Sequence, residues 1–102
     1  MIVRGKFMRI RKQKLGDKNL IGSRVEKLRK RNGMKQKELL AQLQVNGVDM
    51  NASGLSKLEG QLRIVTDIEL VVLADILNVS IETLVGREPK RSGYDNTDYI
   101  RI

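Results

Sequence analysis

Two residue types that carry much of enzyme chemistry are missing: the 102-residue chain has no histidine and no cysteine. Zinc-type ligands, a thiol nucleophile and the usual general base near neutral pH go with them. The twelve acids read as helix caps and surface charges with no site around them, so no catalytic, metal or cofactor role is expected. What remains is cationic. Residues 1 to 37 hold fourteen Lys or Arg against Asp17 and Glu26, a balance of +12, while residues 38 to 102 hold six against ten acids, a balance of −4. A chain so polarised favours a polyanion at one end, nucleic acid first and an anionic membrane surface second. The plainer alternative is a solvated basic tail. A second stretch raises its own question: NASGLSKLEG, residues 51 to 60, has the form of a short capped helix whose only long outward side chain is Lys57.

These groups must be positioned by elements of one small domain, the size that about 100 residues supports. The apolar fraction of 40% can build one core, but Phe7, Tyr94 and Tyr99 all lie near the ends, so the middle must be packed with aliphatics. No apolar run approaches the roughly 20 residues of a membrane span, and the opening MIVRGKFMRIRKQKLGDK is too broken for a secretory signal. Absence of cysteine fits a reducing compartment. The expectation is a soluble cytoplasmic protein with no membrane partner.

Residues 1 to 18 are basic and lack sustained periodicity, which reads as an arm. From Asn19, the segment NLIGSRVEKLRKRNG places Ile21, Val25 and Leu28 at helical spacing and stops at Asn32-Gly33. QKELLAQLQ predicts a second helix with Leu39, Leu40 and Leu43 on its apolar side, and VNGVDM breaks it. Asn51 caps a third, with Leu55 and Leu58 inward and Gly60 near its end. Thr66-Asp67-Ile68-Glu69 is a capping box opening a fourth, with a core set of Ile68, Leu70, Leu73 and Leu77 and a stop near Asn78. Ser80 caps a fifth, IETLVG, ending at Gly86. Residues 87 to 102 read as an irregular tail with a short strand at YIRI. Five short helices in residues 19 to 86 must share one aliphatic core.

The residues RVEKLRKRNGMKQKELLAQL, then LSKLE, then DIELVVLADILNVSIETLVG resemble the Xre-type helix-turn-helix domain of phage repressors, Cro proteins and many bacterial regulators. The resemblance spans about residues 20 to 86. It implies an all-α, five-helix lambda-repressor-like DNA-binding domain, with a basic N-terminal arm before it and a short C-terminal tail after it. In that fold the third helix enters the major groove and the second crosses the backbone. By this resemblance Gln36 faces a phosphate with Lys35 beside it, where exposed helix amides and an ammonium make an anion site; a simple cap is the alternative for Gln36. Arg29 and Glu59 match an ion pair of the phage repressors, which fixes orientation more than it adds stability. The outward face of the third helix falls to Ala52, Ser53, Gly54, Ser56 and Lys57. Lys57 suits guanine O6 and N7 or a phosphate, Ala52 a thymine methyl, and Ser53 either a base or a phosphate.

Two departures from the family pattern bear on that reading. Leu43 and Leu55 are twelve steps apart, about five more than in the phage proteins, so QVNGVDM is an extended turn that adds a half turn to the second helix or lifts the third. After Glu59, EGQLR lacks the glycine two residues on, leaving Gly60 to do that job one position early and Arg63 as a phosphate contact.

Arg4, Lys6, Arg9, Arg11, Lys12 and Lys14 suit a minor groove or flanking phosphates, with a solubilising extension as the alternative. Val71, Val72 and Ile76 add apolar surface to the fourth helix, which predicts a homodimer through this helix or the tail; the alternative is cover by the arm or tail of the same chain. The expected function is a sequence-specific, double-stranded-DNA-binding transcriptional regulator, most simply a repressor occluding a promoter. An antitoxin whose arm or tail covers a partner toxin is one rival. A protein adaptor that uses the fold without reading DNA is the other.

Overall fold

In the computed structural model, which describes residues 14–87, Asn19 acts as a cap ahead of the first helix. Its Oδ1 accepts from the backbone N–H groups of Ile21 and Gly22 at 3.0 and 2.8 Å. Helix α1 therefore runs Gly22–Arg31 rather than from Asn19 itself. Arg29, Lys30 and Arg31 fill its last turn, where cations complement the helix dipole. The left-handed Gly33 (φ +69°) then turns the chain.

Helix α2, Gln36–Val45, ends in a Schellman-type closure in which Val48 N–H reaches Leu43 O at 2.9 Å around the left-handed Gly47. This closure decides the fate of the extended turn. The added helical residue Val45 points into solvent, while Val48 and Met50 are drawn into the core.

Helix α3, Ala52–Glu59, opens with Asn51 Oδ1 accepting from Gly54 N–H at 2.7 Å. Its end corrects one expectation. Gly60 has an ordinary φ of −83°, and the left-handed position falls one residue later, on Gln61 (φ +60°). The N–H of Leu62 closes the turn on Lys57 O at 2.8 Å. Gln61 tolerates the conformation because its side chain is used: Nε2 donates to Gly16 O at 3.1 Å and Oε1 accepts from Ser23 N–H at 3.2 Å.

Helix α4, Asp67–Leu77, has the expected capping box, with Glu69 N–H on Thr66 Oγ1 (3.1 Å) and Thr66 N–H on Glu69 Oε1 (3.0 Å). It ends at Asn78, itself left-handed. Helix α5, Ile81–Val85, is capped by Ser80 and closed at Gly86.

Among the described residues these five helices are the whole of the regular structure, and there is no strand. Helix α1 packs on α3, α4 and α5, and α2 on α3 and α4. Val25, Leu39, Leu43, Leu55, Leu58, Leu73 and Leu84 are completely buried where the helices meet. Each such leucine stabilises the fold by roughly 1.5–3 kcal/mol of transfer free energy. Ile68, expected inside, is 66% exposed, because the buried stripe of α4 is Leu73, Ala74 and Leu77 and Ile68 lies on the opposite side. No helix among the described residues is long and apolar enough to cross a membrane. The arm residues Arg4, Lys6, Arg9, Arg11 and Lys12, and the strand expected at YIRI, lie outside the described residues.

Candidate nucleic-acid interface

A buried carboxylate organises the junction of α1, α2 and α3. Glu59 is 1% exposed at the end of α3. Arg29 of α1 meets it in fork geometry, Nε to Oε2 at 2.7 Å and Nη2 to Oε1 at 3.0 Å. The third arm of the guanidinium donates through Nη1 to Met34 O at 2.9 Å, which fixes the chain between α1 and α2. Gln36, first residue of α2, adds Nε2 to Glu59 Oε1 at 2.9 Å. One acid thus receives donors from two helices and holds the start of α2 against the end of α3.

This arrangement turns the Gln36 amide group inward, so its Nε2 serves the junction. Lys35 and Lys37 flank it with exposed side chains. The N–H of Lys35 is already taken by Glu38 Oε1 at 2.7 Å, which sets an acid in the first turn of α2. On α3, Leu55 and Leu58 face the core, while Ala52, Ser53, Ser56 and Lys57 are exposed and Gly54 is half-buried. Glu59 is the only acid of α3, and its burial leaves Lys57 as the charge on the outward face. A side chain at Gly54 would press on Met50 Cγ at 3.1 Å and Asn51 Oδ1 at 3.2 Å, so the extended turn is packed tightly under the start of α3.

Arg63 is paired and partly buried, where Lys35, Lys37 and Lys57 are exposed. Its Nη2 pairs with Glu69 Oε2 at 3.1 Å and its Nη1 lies 3.7 Å from Met50 Sδ, which spends its charge inside the domain. Glu69 therefore serves both the α4 cap and this pair.

The structure brings together Gln36 and the Arg29–Glu59 pair at the α2–α3 junction, leaves Lys35 and the outward residues of α3 exposed, and draws Arg63 towards α4. Sequence reasoning missed Asn19, whose Nδ2 donates to Leu58 O at 3.1 Å and Arg63 O at 2.9 Å and so holds the end of α3. An asparagine two residues ahead of the first apolar helical position was the available signal. The Gln61 contacts had none, because they join residues 38 and 45 positions apart. Among the described residues no group of acids is placed to hold a metal ion.

Comparison with protein-family models, curated proteins and solved structures returns no match.

Proposed function

We propose that this protein is a sequence-specific DNA-binding transcriptional regulator of the helix-turn-helix type, acting as a repressor by occluding a promoter. The observation that carries the reading is the disposal of charge on α3: its only acid, Glu59, is buried and paired with Arg29, and its outward side presents Ala52, Ser53, Ser56 and Lys57. A helix meeting a polyanion needs that arrangement. An exposed acid there would repel phosphates, and short outward side chains let the helix backbone approach base edges. Lys35 and Lys37 at the start of α2 supply phosphate contacts, Lys57 reaches a guanine edge or a phosphate, and Arg63 contributes through α4 rather than as a free cation.

One observation favours a second reading, the adaptor. Lys57 is the single long outward side chain on α3, which gives the helix few groups for paired base contacts.

Binding to the DNA upstream of the protein's own gene, set against scrambled DNA of equal length over a salt series, separates the two. Regulation requires tighter binding to the native sequence at physiological salt. Equal affinities abolished together by salt remove the sequence-specific reading, and no binding at low salt replaces it with the adaptor.

A further inference from the structure

The outer side of α4 carries an apolar strip that the described residues leave uncovered. Ile68 and Val71 are exposed at helical spacing, Leu62 and Ile64 are also exposed in the connection before the helix, and an open groove of about 310 Å³ lies along Asp67, Ile68, Val71 and Val72. The strip is rimmed by acids. Asp67 and Asp75 are both exposed, Asp75 stands one turn beyond Val71, and α4 contains no Lys or Arg.

We infer that the segment of residues 1–13 of the same chain docks on this face, seating its apolar side chains on Ile68 and Val71 and its cations beside Asp67 and Asp75. The first ground is where that segment leaves the domain. Gly16 N–H donates to Gly60 O at 2.8 Å, Lys18 N–H to Gln61 O at 3.0 Å, and a side chain at Gly16 would meet Leu62 Cδ2 at 2.8 Å. The described chain therefore begins beside the connection that runs into α4. The second ground is reach. Thirteen extended residues cover up to about 43 Å, and eleven residues of α4 span about 16 Å.

Charge and composition supply the third ground, and they choose between occupants. The segment MIVRGKFMRIRKQ has five cations and no acid, with Phe7, Met8 and Ile10 among them. It thus complements an apolar strip with an acidic rim. A second copy packed α4 to α4 around a two-fold axis would instead oppose the aspartates of one chain with those of the other. The inference is independent of DNA binding, since the face and the segment are both present without DNA.

The chain contains no tryptophan, so Phe7→Trp in the full-length protein gives a single reporter. Its emission is expected at shorter wavelength than in a synthetic 1–13 peptide carrying the same change, and trypsin is expected to cut after Arg4, Lys6, Arg9 and Arg11 at least tenfold more slowly than in that peptide. Val71→Lys places a cation in the strip at an exposed position, and Asp75→Lys reverses the rim without touching the apolar residues. Each should bring both readings back to the peptide values with helicity retained. Peptide-like emission and cutting in the parent protein overturn the inference, as does protection that both variants leave intact. Protection that fades on dilution together with a halving of molecular mass assigns the face to a second copy and overturns it too.

Discussion

Glu59 carries its charge where water does not reach it, and three donated hydrogen bonds from Arg29 and Gln36 make that tolerable. Such a pair adds little over a well-packed apolar one, but removing either member strands the other. Glu59→Ala or Arg29→Ala should therefore lower stability by about 3–5 kcal/mol in urea unfolding. The double variant Arg29→Met with Glu59→Leu is expected to recover most of that deficit. Lys57 and Lys35 are exposed and replaceable without structural cost. On the DNA-binding reading, Lys57→Ala lowers the ratio of native to scrambled affinity by about tenfold, and Lys35→Ala weakens both alike, as competition binding measures. Equal weakening by Lys57→Ala on both DNAs would make that lysine a phosphate ligand.

Helix α2 opens with an acid that works against an anion site. Glu38 accepts from Lys35 N–H and puts a negative charge in the first turn, between Lys35 and Lys37 and the rest of the helix. Glu38→Gln keeps the acceptor oxygen and removes the charge, so affinity for scrambled DNA at low salt should rise about two- to fivefold. Unchanged affinity would mean that no phosphate comes near this end of α2. The same helices show which features were legible in the sequence. Asn51, Thr66-Glu69 and Ser80 announce their caps because capping is local, within three residues. Leu39, Leu43, Leu55 and Leu58 announce the core by spacing. Ile68 misled because α4 is apolar on both sides, and periodicity does not say which side meets the domain. Val48 and Met50 were hidden in a turn with no period. At the candidate site, Arg63 looked like a free cation because its partner Glu69 was already explained as a cap.

At the scale of the whole molecule, the chain's cations are gathered in its first third and its acids in the remainder, +12 against −4. If the leading segment neutralises phosphates, removing residues 1–13 should flatten the dependence of log affinity on log salt by about 0.9 for each phosphate that is no longer neutralised. An unchanged slope would give those cations to the protein's own surface instead. The closure of the domain has a separate consequence, for the order in which the structure is completed. Asn19 reaches Leu58 and Arg63, and Gln61 reaches back to Gly16 and Ser23. Gly22 sits so close to Leu58 O and Glu59 O that a methyl group there has no room. These approaches join the two sides of a loop of about forty residues, and that loop must close before either side is satisfied. On a ribosome, residues 16–22 emerge early and wait for residues 57–63. The two stretches should then gain and lose hydrogen-exchange protection as one cooperative unit, although α2 and the extended turn lie between them in the chain.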